Sequence, residues 1–158
     1  MSDPVIVEVA VAAPVEEVWR ALREPEEIRR WFGWEYEGLD EEIRFIFFEA
    51  SKADDEAYVL DGGEGGTIAL EAQGDRTVVR VTRTAPSGGF DEVNEGWLTF
   101  IQQLRFYLER HRGQERRTDH VPAGGEEWFR SANQVGEVRE DGALVIRTPT
   151  RVIVSRYD

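Results

Sequence analysis

The chain has 158 residues, of which 19 are Lys or Arg and 32 are Asp or Glu, so its formal net charge is −13. This negative charge repels the phosphates of nucleic acids and anionic lipid surfaces, and we therefore expect neither nucleic acid nor membrane as a partner. Cysteine is absent, which excludes disulfides, thiol nucleophiles and zinc–thiolate centres. The length suffices for one domain that buries a core without such staples.

The N-terminal residues show no targeting segment. Met1 to Pro4 contain neither a basic stretch nor an apolar one, and no apolar run approaches the length of a membrane span. Together with the lack of cysteine, which fits a reducing compartment, this predicts a cytoplasmic protein.

A strand and two short helices are predicted first. From Val5 to Ala12 the odd positions are valines, which is the period-2 pattern of a half-buried strand. Ala13-Pro14 then begins a helix, because Pro is favoured at the first helical position and acidic residues follow in the first turn. Pro25 begins a second short helix, whose apolar side continues to Phe32.

Segments rich in β-branched and aromatic residues come next and predict antiparallel strands. These segments are Ile43–Glu49, Ala57–Leu60, Thr67–Glu71 and Thr77–Thr84. Gly74-Asp75 lies between the last two and predicts a short hairpin. The register of that hairpin places one apolar set on a common face: Ile68, Leu70, Val79 and Val81.

The most periodic segment, Asp91 to His111, predicts a long helix. Its apolar stripe is centred on Leu104, and Gln103 is among the residues expected to face away from it. Phe106 lies nearly opposite Leu104. We therefore expect the C-terminal part of the chain, residues 128 to 154, to cover Phe106, either within one chain or from a second subunit.

The remaining residues divide into two parts. Residues 112 to 127 are charged and contain glycines, which predicts a linker. Val135–Val138 and Ala143–Val154, joined by an Asp-Gly turn, predict strands. The predicted organisation is thus a domain over residues 1–113, followed by a linker and β-rich extension over 114–158 that packs on the domain or makes a homodimer.

This order of elements is the helix-grip arrangement, and particular residues resemble the START-like (SRPBCC) superfamily. The resemblance covers residues 5 to about 111 and is greatest to the chaperone ATPase activator homologue-like group. It is carried by Ala13–Leu22, Pro25-Glu26 with Trp31, Gly66-Thr67, and Gly96-Trp97 ahead of Leu104 and Tyr107-Leu108. The segment from Glu41 to Gly65 is shorter and more acidic than in that group, and the C-terminal extension has no counterpart in its minimal members.

The resemblance implies an α+β fold in which a curved antiparallel sheet wraps around the long C-terminal helix. In relatives the space between them holds lipids, hormones, polyketides or other apolar molecules. The residues expected to bind a ligand here are Trp31, Phe32, Phe45, Phe47, Tyr58, Leu70, Val81, Arg83, Trp97, Ile101 and Leu104. The alternative is that most of these side chains touch one another and simply fill the core.

Motifs for catalysis are absent from the sequence. The glycine run Gly62–Gly66 lacks the Lys of a phosphate-binding loop and predicts a turn. His111 falls at a helix end and His120 in a polar loop, where neither has an evident catalytic partner. We therefore predict no catalytic residues, metal or cofactor, and non-catalytic binding of a small apolar or amphipathic ligand. The alternatives are a protein-interaction module resembling a chaperone co-factor and, less favoured, a cyclase- or aromatase-like enzyme.

Overall fold

Two antiparallel sheets and one long helix organise the residues that the structure describes. The computed structural model describes residues 5–33, 36–63, 66–83, 92–122, 137–138, 142–147 and 151–157. In chain order the elements are β1 (Val5–Val11), α1 (Val15–Arg23), α2 (Pro25–Arg29), α3 (Leu39–Arg44), a π-helical turn (Phe45–Glu49), β2 (Lys52–Asp54), β3 (Val59–Asp61), β4 (Thr67–Gln73), β5 (Arg76–Thr82), α4 (Glu92–Arg110), β6 (Arg116–Pro122), β7 (Glu137–Val138), β8 (Leu144–Arg147) and β9 (Arg151–Tyr157).

The first sheet has five antiparallel strands in the order β1-β5-β4-β3-β2. Gln73 pairs with Arg76 across a two-residue turn in which Gly74 has a φ of +68°, so the predicted hairpin is confirmed. The predicted register is confirmed as well, because Ile68 pairs with Val81 and the buried face carries both. The strand and the two helices predicted from Val5 to Phe32 are also present.

The segment Ile43–Glu49 is helical, so the strand predicted there was wrong. Phe47 is buried while Phe45, two residues earlier, is 58% exposed. A strand would place these two rings on the same face, whereas a helix places them on opposite sides. Acidic residues in the first turn of α3 favour its N-terminal dipole. The helix then widens into the π-turn, where Ala50 N donates to Phe45 O at 2.8 Å.

The second sheet has four antiparallel strands in the order β6-β9-β8-β7. Strand β6 lies inside the region predicted as a linker, and it includes His120, which was predicted in a loop. The linker prediction was wrong there because seven consecutive residues of β6 pair with β9. Trp128 and Phe129 of the predicted extension lie outside the described residues.

Helix α4 packs against both sheets. One side places Ile101, Leu104 and Leu108 in the main core, whereas Phe106 on the other side contacts a smaller cluster containing Leu144 and Ile146. Gln103 was predicted to face away from the core, but it is fully buried because its amide binds backbone carbonyls.

These elements form an α+β fold with a curved antiparallel sheet and a helix packed on it, which is compatible with the helix-grip arrangement. In the described part of the chain, none of the helices combines the length and the apolar character that crossing a bilayer requires.

Candidate functional site

An apolar cavity of about 360 Å³ lies between the first half of α4, the π-turn and the hairpin of β3 and β4. The residues that line it are Phe45, Ile46, Ala50, Ser51, Leu60, Gly62, Gly66, Ile68 and Trp97. Phe45 and Ala50 are exposed, so the cavity meets solvent on the side of the π-turn.

The π-turn builds one wall of the cavity, and its phenylalanines point to different sides. Phe47 is completely buried in the core, whereas Phe45 is 58% exposed at the edge of the cavity. Ile46, between them, is half-buried and lines the cavity. Single π-helical turns inside helices occur frequently at functional sites.

The glycine run between β3 and β4 forms the opposite edge. Gly62 N donates to Gly66 O at 2.9 Å, and Gly66 N donates to Gly63 O at 3.1 Å. A Cβ atom at Gly62 would lie 2.7 Å from Gly66 O, and Gly66 has a φ of +108°, which L residues rarely adopt. Glycine is therefore required at both positions for the chain to turn this tightly beside the cavity.

Aromatic rings fill the groove behind the cavity. The rings of Phe32 and Phe47 meet edge-on with centroids 5.0 Å apart, and Trp97 lies 6.2 Å from Phe32 and 6.5 Å from Phe47. Such edge-on contacts add to the stabilisation that burial of the rings provides. Trp97 belongs to both features, since one part of it contacts the rings and another lines the cavity.

One hydroxyl group at the cavity lacks a hydrogen-bond partner. The Oγ atom of Ser51 is buried and makes no hydrogen bond, although Ser51 lines the cavity. A buried polar atom without a partner costs about 1–3 kcal/mol. The Oγ atom has almost no accessible surface, so a ligand atom can bond to it only if the Ser51 side chain rotates toward the cavity. Among the described residues, no group of three or more His, Asp or Glu is placed to hold a metal ion.

The predicted ligand-binding residues fall into distinct places. Phe45 and Trp97 line the cavity. A larger group is buried in the core instead: Trp31, Phe32, Phe47, Leu70, Val81, Ile101 and Leu104. These side chains fill most of the groove between the helix and the sheet.

Tyr58 and Arg83 have other partners. The half-buried ring of Tyr58 packs edge-on against Trp19, with centroids 5.8 Å apart. Arg83 Nη1 donates to Asn94 Oδ1 of α4 at 2.9 Å. Arg83 therefore ties the end of β5 to α4.

Sequence reasoning missed the cavity residues that follow the π-turn. Ala50 and Ser51 come after a segment that was interpreted as a strand, and small residues there carry no pattern of their own. The acidic residues Asp40, Glu41 and Glu42 ahead of Ile43 were the signal that could have predicted the first turn of a helix here.

Comparisons with known proteins leave the function to be derived from this geometry. No known protein-family profile matches the sequence, and no curated protein matches it significantly. Among solved structures, the chain is similar to the crystal structure of DynU16, a protein in the dynemicin biosynthetic locus. The two are 19% identical with a TM-score of 0.42, and the similarity covers 94% of this chain and 84% of that chain.

Proposed function

We propose that the protein binds a small uncharged ligand that is mostly apolar and carries one hydrogen-bonding group, and that it acts by holding this ligand in the cavity. The observation that carries the proposal is the apolar cavity, whose lining residues include Ser51. The Ser51 hydroxyl is unpaired but has almost no accessible surface, so it meets a ligand only after its side chain rotates toward the cavity. Ligand sites of proteins share this character, because apolar walls supply affinity and a few placed polar groups fix the orientation of the ligand.

The volume of the cavity limits the size of the ligand. A dry cavity of about 150 Å³ already holds benzene, and ligand pockets begin at about 300 Å³. The cavity of about 360 Å³ therefore suits a molecule of two or three fused rings, or an aliphatic molecule of equal volume. The net charge of −13 disfavours an anionic ligand.

The character of the lining favours binding over catalysis. Apart from the Ser51 hydroxyl and the Trp97 indole, the described lining side chains are apolar or are glycines. A cyclase- or aromatase-like reaction needs converging titratable groups to move protons, and the described lining offers none. A chaperone co-factor would act through its surface, and the cavity supplies no reason for that role.

A dye titration with two matched variants tests the proposal. N-phenyl-1-naphthylamine, a neutral dye that fluoresces in apolar surroundings, should bind the protein with one-to-one stoichiometry. Ala50→Phe introduces a ring at an exposed position that lines the cavity, and it should raise the Kd for the dye at least tenfold. Ala53→Phe places the same ring at an exposed position of β2 that does not line the cavity, and it should leave the Kd unchanged.

Two results would contradict the proposal. The first is a protein that does not bind the dye, and the second is an Ala50→Phe variant that binds it as tightly as the Ala53→Phe control. Either result would favour the protein-interaction alternative. Circular dichroism of both variants shows whether they keep the native fold.

A further inference from the structure

Side chains from the second half of the chain hold one backbone turn near the cavity. Every carbonyl from residue 29 to residue 33 accepts a hydrogen bond from Gln103, Arg116 or Tyr157. These three side chains lie on α4, β6 and β9 respectively. The 29–33 turn is therefore fixed by both the long helix and the four-stranded sheet.

Arg116 makes the largest share of these contacts. Its Nη1 atom donates to Gly33 O at 2.9 Å, and its Nη2 atom donates to Phe32 O at 2.7 Å and Arg29 O at 3.1 Å. The side chain is buried, and the rigid guanidinium fork matches carbonyls that point in different directions. The ammonium group of a lysine is a compact point charge and does not reproduce this geometry.

The same turn carries rings that reach the cavity wall. Phe32, whose carbonyl binds Arg116, packs its ring against Phe47 and Trp97. Trp97 in turn lines the cavity. A displacement of the turn thus moves Phe32, and protein interiors are packed too closely for Trp97 to remain where it is.

We propose that Arg116 is a positioning residue for the cavity and that the four-stranded sheet sets ligand affinity through it. This inference rests on the proposed function for its ligand-dependent part. Because coupling between two sites is reciprocal, a ligand in the cavity also strengthens the docking of β6 on the 29–33 turn. The C-terminal sheet then acts as a regulatory element for the binding site.

Arg116→Lys tests the coupling, with Arg117→Lys as its control. The two arginines are neighbours on β6, but Arg117 is exposed. Arg116→Lys should raise the Kd for N-phenyl-1-naphthylamine about tenfold, whereas Arg117→Lys should leave it unchanged. Saturation with the dye should slow hydrogen exchange of the β6 amides in the native protein and have a smaller effect in Arg116→Lys. An unchanged Kd in Arg116→Lys would overturn the inference. The same holds if hydrogen exchange of the β6 amides is equally fast with and without the dye.

A ligand-free measurement separates this inference from the proposed function. The indole N–H signal of Trp97 in a ¹⁵N-correlation spectrum, assigned with Trp97→Phe, should shift in Arg116→Lys and stay in place in Arg117→Lys. If the signal does not shift, Arg116 does not position the wall, whatever the dye does. If it shifts while the native protein fails to bind the dye, the proposed function is wrong and the structural coupling stands.

Tyr157→Phe is a milder substitution that replaces Arg116→Lys in the test if Arg116→Lys does not fold. Tyr157 donates its hydroxyl to Arg30 O at 2.5 Å in the same turn, and Tyr157→Phe removes that single bond. It should move the Trp97 signal by a smaller amount. A folded Tyr157→Phe protein with the native Trp97 signal would overturn the role of the sheet.

Discussion

Two hydroxyl groups, one near each end of α4, differ in how their hydrogen bonds are satisfied. At the C-terminal end, Tyr107 donates its hydroxyl to Glu27 at 2.6 Å and accepts the Gly113 amide at 2.9 Å. At the N-terminal end, beside Trp97, the hydroxyl of Ser51 is buried without a partner and a cavity remains.

This difference separates a structural region from a candidate binding region. Polar atoms in protein interiors are normally paired, because an unpaired atom loses its hydrogen bonds to water and gains nothing. The Tyr107 hydroxyl follows that rule, while the Ser51 hydroxyl departs from it. In our proposal, a ligand in the apolar cavity pairs with this hydroxyl after the Ser51 side chain rotates toward it.

The largest expected effect separates two phenylalanines of the π-turn. Phe47→Ala should lower the free energy of unfolding by about 3–5 kcal/mol, because it empties a fully buried position. Phe45→Ala removes a ring that is 58% exposed and should change stability by less than about 1 kcal/mol. Urea denaturation followed by circular dichroism measures both. Equal losses would mean that both rings face inward, as a strand would place them.

Hydrophobic periodicity predicted most of the fold where the pattern had one interpretation. The valines of β1, the hairpin of β4 and β5, and the apolar stripe of α4 each match only one regular structure. The segment Ile43–Glu49 is ambiguous, because Phe45 and Phe47 alternate like residues of a strand while the acidic residues just before it, Asp40 to Glu42, fit the first turn of a helix. Aromatic and β-branched residues then favoured the wrong choice, and tertiary packing decided otherwise.

The candidate site was harder to predict than the fold. Phe45 and Trp97 were among the predicted ligand residues because they are large and apolar, yet size alone does not distinguish a lining residue from a core residue. Phe32 and Phe47 are also large and apolar, but their rings pack against each other in the core. Whether a cavity remains beside Trp97 depends on how rings from distant segments pack together. Ser51 becomes a candidate ligand contact only because that packing leaves the cavity next to it.

Tyr107→Phe, near the C-terminal end of α4, should have an intermediate effect on stability. Loss of the hydroxyl leaves Glu27 and the Gly113 amide without this partner, which should cost about 1–2 kcal/mol near pH 7. Urea unfolding of the native protein and the variant at pH 7 measures this difference. An equal stability of the two proteins would remove the contrast with the Ser51 end.

The same pair of proteins should respond differently to alkaline pH. Burial, and after it the hydrogen bond with Glu27, raises the pKa of Tyr107 above its ordinary value. A pKa raised by folding gives stability that is complete below the ordinary tyrosine value of about 10 and is lost as the pH rises through the folded value. The advantage of the native protein over Tyr107→Phe should therefore shrink above pH 10. A constant difference between pH 7 and pH 11 would contradict the pKa shift.

Ser51→Ala should have the smallest effect on stability, and the opposite sign. Because the Ser51 hydroxyl has no partner, replacing it by a methyl group should leave stability unchanged or raise it by up to about 1 kcal/mol. Thr77→Val is the matched control, since the Thr77 hydroxyl is buried and donates to Ala13 O at 2.8 Å. This variant should lose about 1 kcal/mol of stability.

The same Ser51→Ala variant also tests the ligand contact. In competition with N-phenyl-1-naphthylamine, Ser51→Ala should raise the Kd of 1-naphthol more than the Kd of naphthalene, because only 1-naphthol has a hydroxyl that can bond to Ser51. An equal effect on both competitors, or a loss of stability as large as that of Thr77→Val, would show that the Ser51 hydroxyl serves the fold and not a ligand.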